Sequence, residues 1–200
     1  QGLVGSEMCI RDSINRGQMS GTLYIVATPI GNLGDITSRA LDTLKDVDWI
    51  LAEDTRQTLK LLHHFGIEKK LIPYSEHSSE KKNQTILENL ENGDNYALVS
   101  DAGTPAVSDP GSRLVEYLLE NDINILPVVG PSAVTGLLSV FGKPFLSFHF
   151  WGFWPRKNKV KNQIIQYFHD VPGVHVFFES PYRVLKTLST SFLPLGDEFD

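Results

Sequence analysis

The stretch Leu23-Tyr24-Ile25-Val26-Ala27-Thr28-Pro29-Ile30-Gly31-Asn32-Leu33-Gly34-Asp35 decides the fold class of this chain. Its first five residues form a continuous apolar run rich in β-formers, which predicts a strand buried on both faces of a parallel sheet. Gly31 to Asp35 is turn chemistry. Beyond it Ile36, Ala40, Leu41 and Leu44 recur at helical spacing, and Asp35 or Thr37 stands where a helix start needs a cap. A strand, a glycine loop and a helix follow in succession.

The alternation repeats downstream. Residues 49–52 read as a strand, 57–65 as a helix stopped by Gly66, and 71–74 as a short strand that Pro73 assigns to a sheet edge. Residues 81–91 are helical, 96–100 form a strand feeding the loop 101–111, and 112–120 are helical again. A strand over 124–129 runs into Gly130-Pro131-Ser132, followed by a helix over 133–140. Strands alternating with helices of this length imply βαβ units, hence an α/β fold with a mainly parallel sheet covered on both faces.

The pattern changes near Lys143-Pro144. Residues 145–153 are aromatic and extended, 159–168 helical, 174–179 a strand and 181–188 a helix. This places an N-terminal α/β domain over 19–143 and the start of a mixed α/β second domain over 144–200, with too little sheet to be complete. Residues 1–18 show no periodicity and precede Met19, so they read as a non-native or disordered leader outside the fold.

Composition narrows the function classes. The 200 residues are 41% hydrophobic, enough for a sizeable core. No apolar run approaches the ~20 residues that span a bilayer, so a soluble protein without a membrane partner is expected. The single cysteine, Cys9, lies in the leader, which leaves no disulfide framework or thiolate metal site and fits a reducing cytoplasm. A net charge of −6 argues against a general nucleic-acid coat. It leaves room for a local basic surface, and Arg156, Lys157, Lys159 and Lys161 put four cations into six residues. Such a run by itself most often marks a solvated helix start.

Three loops fall at the carboxyl ends of predicted parallel strands, where ligands of open α/β sheets bind. They are 28–35, Ser100-Asp101-Ala102-Gly103-Thr104-Pro105, and Gly130-Pro131-Ser132-Ala133. Taken singly, each is adequately explained as a tight turn; together they outline a crevice. The spacing is not the G-x-G-x-x-G of a dinucleotide site, and no G-x-x-x-x-G-K-[ST] phosphate loop occurs, so NAD and ATP readings fall. The loop beginning at Ser100 combines backbone donors, a hydroxyl and a carboxylate acceptor, which suit an amino-acid tail and a ribose diol.

These loops, with Ala52-Glu53-Asp54-Thr55-Arg56, Ser108-Asp109-Pro110-Gly111, Pro155-Arg156-Lys157 and Phe178-Glu179-Ser180-Pro181-Tyr182-Arg183, resemble the tetrapyrrole methylase superfamily and its ribosomal-RNA branch. The resemblance extends over about 22–188. It implies a two-domain tetrapyrrole-methylase-like fold with S-adenosyl-L-methionine in the cleft, 2′-O-methylation of a cytidine in the decoding centre of 16S rRNA within the small ribosomal subunit, and a homodimer. Carried over by motif, Pro29 lines the cleft, Asp101, Gly103 and Thr104 form the main cofactor loop, and Ser132 and Ala133 close around adenosine.

Methyl transfer needs in-line positioning and gains from a base near the ribose hydroxyl. Glu53, Asp54, His77 and Glu179 are the candidates, each at a strand or loop end. Asp54 is more often read as a helix cap, and His77 as a solvated loop residue. His63 and His64, adjacent on a helix, point apart, so no metal site is expected. For RNA, Arg156, Lys157, Lys159 and Arg183 would meet phosphate, with Trp151 and Trp154 available either for base stacking or for core packing. Two other readings stand beside this one. The same fold could methylate a tetrapyrrole or another small molecule, or the chain could bind the cofactor without catalysis.

Overall fold

The computed structural model describes residues 20–192. The leader over 1–18, with Cys9, lies outside them. Seven strands and seven α-helices alternate through the described residues. The first five strands, β1 (Thr22–Val26), β2 (Trp49–Ala52), β3 (Lys70–Pro73), β4 (Tyr96–Val99) and β5 (Asn124–Val128), form one sheet in the order β3-β2-β4-β1-β5. Every pairing in it is parallel. The two prolines within these strands, Pro73 and Pro127, lie on the edge strands β3 and β5. A missing N–H costs least at an edge.

Four helices connect the strands: α1 (Ser38–Asp46), α2 (Thr55–His64), α3 (Glu80–Glu91) and α4 (Ser112–Glu120). Side-chain alternation along the strands assigns these helices to opposite faces. Leu23, Leu51, Tyr96 and Leu98 pack with Ile86, Leu87 and Leu90 of α3 and with Leu114 and Leu118 of α4. Residues at the alternate positions, Val26, Ile50, Ala52, Ala97 and Val99, pack with Ala40 and Leu44 of α1 and Leu62 of α2. Burial of each such leucine, isoleucine or valine contributes about 1.5–3 kcal/mol. The unbroken apolar runs in the sequence have this cause.

The helix starts follow from local chemistry. Thr37 caps α1 by accepting from the Ala40 N–H at 3.1 Å, and Asp54 caps α2 by accepting from the Arg56 N–H at 2.9 Å. Asp35 is not the cap; it belongs to a single 3-10 turn, Leu33–Asp35, and Ile36 is extended before the helix begins. α2 starts two residues earlier than the apolar periodicity indicates, because the cap sets the boundary.

After α5 (Ala133–Ser139), two more parallel strands, β6 (Phe148–Phe153) and β7 (Val174–Phe178), form a second sheet joined by α6 (Asn158–Asp170). Val134 and Leu138 of α5 pack on Val176, with Phe150, Val174 and Phe178 around them. On the alternate positions Trp151, His175 and Phe177 meet Tyr167 and Phe168 of α6. The helix expected over 181–188 is shorter, with α7 (Val184–Thr187) continuing into a π-helical turn at Leu188–Phe192.

The polar centre of the aromatic layer is His175. The Trp151 indole N–H donates to its Nδ1 at 3.1 Å, so Nε2 carries the hydrogen and donates to the Val171 carbonyl at 3.0 Å. Burial lowers the His175 pKa below its ordinary 6.5; the Val171 carbonyl opposes this, and His149 stacked at 5.1 Å adds to the lowering. With its folded value depressed, His175 contributes stability that is complete above about pH 6.5 and is lost as pH falls through the folded value. Thermal melts between pH 8 and 5 are therefore expected to show a falling midpoint below pH 6.5 that is shallower in His175→Gln. Parallel pH profiles in the two proteins would show that another group is responsible.

Candidate active site

Because all five strands of the first sheet are parallel, the loops after β1, β2, β4 and β5 leave from one edge. The chain leaves β1 for the α1 face and β4 for the α3 and α4 face, which opens a crevice between two neighbouring strands. At its floor the two loops are bonded to each other. The Thr28 N–H donates to the Gly103 carbonyl at 2.9 Å, and the Gly103 N–H donates back to the Thr28 carbonyl at 3.0 Å. The buried Thr28 hydroxyl adds a bond to the Ser100 carbonyl at 3.0 Å. The third loop joins through Thr104, whose hydroxyl reaches the Pro131 carbonyl at 3.5 Å. Thus the loops carrying Pro29, Asp101, Gly103, Thr104, Ser132 and Ala133 meet at one place.

Gly103 is necessary for this closure. Its φ is +84°, and a Cβ would face Ile30 Cγ2 at 3.5 Å and the Pro131 carbonyl at 4.0 Å. Space is sufficient, so the obstacle to a side chain is the backbone conformation. Ala106 and Ser108 also have positive φ, at 64° and 63°, without being glycine. Such strain persists where surrounding structure enforces it and concentrates at functional loops. The same loop touches the second sheet: a Cβ on Gly152, where φ is +69°, would stand 3.0 Å from Ser108 Oγ.

The rim of the crevice is acidic. Asp101 accepts from the Asp54 N–H at 3.2 Å, which ties the loop after β4 to the start of α2. Burial, and then the charges of Asp101, Asp109 and Asp54, raise the Glu53 pKa above 4.5. Burial likewise raises that of Asp109, against a bond from Ser100 and with a contribution from Asp101. Asp54 differs. Its bonds to the Arg56 guanidinium and N–H hold it down at about 2. A carboxyl group this acidic is a poor proton acceptor, so Asp54 acts as cap and ion-pair partner. Asp109 is absent from the sequence-based candidates and was legible only as a second acid in the strained loop.

The remaining candidates are His77 and Glu179. His77 follows β3 on a loop beside Glu76, which pairs with Arg113 at 3.1 Å. Glu179 follows β7; its carboxylate accepts from the Ser180 N–H and the Thr187 hydroxyl and pairs with Arg183. Burial would raise its pKa, but those bonds with the charges of Arg183 and Lys161 outweigh it and lower the pKa. Trp154 is 1% exposed and Trp151 packs within the aromatic layer, so Trp154 is excluded from base stacking and core packing accounts for both. Arg156 and Arg183 line one open recess, which Lys157 and Lys159 do not. Among the described residues no cluster of His, Cys, Asp and Glu could hold a metal, and no helix is long and apolar enough to cross a membrane.

The family model for Tetrapyrrole (Corrin/Porphyrin) Methylases matches residues 22–194. The chain belongs to the tetrapyrrole methylase family. Proteins named ribosomal RNA small subunit methyltransferase I resemble this chain over most of its length. That of Thermotoga maritima is 48% identical over 177 residues, covering 88% of this chain and 79% of the relative. That of Halalkalibacterium halodurans is 45% identical over 190 residues, covering 95% and 66%. The chain spans between 57% and 66% of the length of five such relatives. Among solved structures, diphthine synthase superposes with a TM-score of 0.64 at 14% identity, covering 89% of this chain and 74% of the other. Uroporphyrin III C-methyl transferase from Thermus thermophilus superposes with 0.58 at 18%, covering 88% and 77%. At these identities the likeness is one of fold.

Replacing Gly103 by alanine tests the loop closure. The variant is expected to lose about 1–2 kcal/mol, a drop of roughly 2–8 °C in melting midpoint for a chain of this size. An unchanged midpoint would mean that the loop reaches its conformation without strain.

Proposed function

We propose that the chain contributes the donor-binding crevice and part of the substrate surface of an S-adenosyl-L-methionine-dependent methyltransferase that methylates the ribose 2′-oxygen of a cytidine in 16S rRNA. The observation that carries the reading is the reciprocal Thr28–Gly103 bridge, which joins two strand-end loops beside an acidic rim. The names of the relatives supply the substrate class.

The residues present suit the donor. S-adenosylmethionine supplies a methyl group on a sulfonium, and with its ammonium and carboxylate it carries a net positive charge. The charges of Asp101 and Asp109 disfavour ionisation of Glu53, and that of Asp101 disfavours ionisation of Asp109, a repulsion that a cation between them relieves. Pro29 and Ile30 would bound the crevice on one side and Ser132 and Ala133 on the other, with Asp101, Gly103 and Thr104 between. Of the four base candidates, Glu53 fits best: its raised pKa brings a carboxylate nearer the range useful for accepting the ribose 2′-hydroxyl proton. The reading assigns the protein to the cytoplasm with the small ribosomal subunit, as a homodimer.

Calorimetric titration with S-adenosylmethionine is expected to show binding that Asp101→Ala weakens about tenfold or more, the scale of one charge-assisted contact. Undiminished affinity would put the donor elsewhere. For catalysis, labelled donor should transfer to the ribose of undermethylated small subunits and not to a tetrapyrrole precursor. In Glu53→Gln, kcat should fall while donor affinity stays measurable. The wild-type rate should decline as pH drops through the raised Glu53 value, and this acidic limb should vanish in the variant. Persistence of the limb would remove Glu53 as base.

A further inference from the structure

The carboxyl ends of β6 and β7 form a second strand-end crevice, on the sheet that the donor reading leaves unused. Here lies an open recess of about 460 Å³ lined by Arg156, Lys161, Arg183, Lys186, Thr187 and Thr190. Arg156 comes from the segment after β6, Lys161 from the start of α6, and Arg183 and Lys186 from α7 and the residue that caps it. Four cations from three parts of the chain thus face one space. Among the described residues the Glu179 carboxylate stands beside Arg183 and Lys161, and it is already engaged: it bonds Ser180, Thr187 and Arg183. Those bonds fix Arg183, which also reaches the Trp154 carbonyl at 3.4 Å.

The placement of these charges runs against helix stability. The positive end of a helix dipole favours acids, yet the first turn of α6 has none and is flanked by Arg156, Lys157, Lys159 and Lys161. An anion at the mouth of the recess would relieve both the mutual repulsion and the unfavourable dipole.

We infer that this recess is an anchoring site for a phosphodiester of the RNA substrate, held by Arg156, Lys161, Arg183 and Lys186. The inference rests on the RNA part of the function proposed above and adds to it which cations hold the backbone. Lys161 and Lys186 enter the site, while Lys157 and Lys159 do not line it. A polynucleotide fits better than free phosphate because the recess is open and lined by four cations, whereas phosphate alone is retained by enclosing donors. The fixed arginine, with its planar fork of donors, suits a phosphodiester; the lysines add charge without sequence preference.

The test is anisotropy of a fluorescent single-stranded RNA oligonucleotide titrated with the whole chain at several salt concentrations. The double variant Lys161→Gln/Lys186→Gln should bind roughly tenfold more weakly near 0.1 M salt, with its log–log salt slope reduced by about 1.4, the amount for two lost contacts to a single strand. An equal charge change on distant helices, Lys45→Gln/Lys81→Gln, should alter affinity by less than about twofold. Lys161→Arg/Lys186→Arg should restore wild-type affinity and slope. Inorganic phosphate at the same ionic strength should compete poorly.

Equal losses in the two glutamine doubles would reduce the recess to general surface charge and overturn the site. Strong competition by inorganic phosphate would overturn the assignment to a polynucleotide. If the unaltered chain binds no RNA, the RNA reading itself fails, and calorimetry with S-adenosylmethionine on the same preparation shows whether the donor reading survives alone.

Discussion

Two backbone hydrogen bonds, exchanged between Thr28 and Gly103, are the constraint on which the candidate active site depends. They form because β1 and β4 are parallel neighbours, so the chain emerges from both at the same edge and at the same height. A strand pair of this kind normally ends with its loops diverging to opposite faces. Here one antiparallel bridge pins the loops before they part, and a buried hydroxyl bond from Thr28 to Ser100 braces it. The geometry requires a left-handed residue at Gly103, which explains why a glycine stands at the crossing point. The approach of Thr104 to Pro131 and that of Asp101 to the start of α2 both build on this junction.

The charges of the molecule are divided between its two strand-end crevices. Acids gather at the first sheet: Glu53 and Asp109, both acted on by the charge of Asp101, with Asp54 withdrawn into its pair with Arg56. Cations gather at the second, where Arg156, Lys161, Arg183 and Lys186 share a recess and Arg183 is paired with Glu179. A net charge of −6 conceals this separation entirely. The cationic methyl donor and polyanionic acceptor proposed above would call for opposite fields, and the two sheets carry charges of opposite sign. The contact of Ser108 with Gly152 brings the strained loop of the first sheet against the last turn of β6, so the two fields are neighbours.

Much of the fold was legible because burial on both faces leaves a plain signature. Leu23-Tyr24-Ile25-Val26 reads as a buried strand from its composition, and helix α4 falls at Ser112–Glu120 as its apolar spacing indicates. Boundaries were less legible where a cap or a turn competes with periodicity: Thr37 outranks Asp35, and the segment after Pro181 is broken into a short helix and a π-turn. The site was legible as three loops but not as a set of charges. Asp54 and Glu53 are adjacent in sequence, yet Arg56 takes the first while burial and three other acids act on the second. Trp151 and Trp154 carried the same ambiguity, between stacking and packing, and the alternation of β6 and the closeness of Phe177 and Phe192 resolve it toward packing.

The sequence by itself determined the α/β class, the order of strands and helices, and the three loops at strand ends, since period, turn chemistry and capping are local properties. Tertiary structure alone decided the strand order β3-β2-β4-β1-β5, and with it which loops meet. That order depends on long-range pairing, which no local pattern encodes. It likewise decided that Asp109 joins Glu53 and that Lys161 and Lys186 join Arg156 and Arg183. Electrostatic fields depend on distance in space, and residues far apart in the chain become neighbours only when the sheets are assembled.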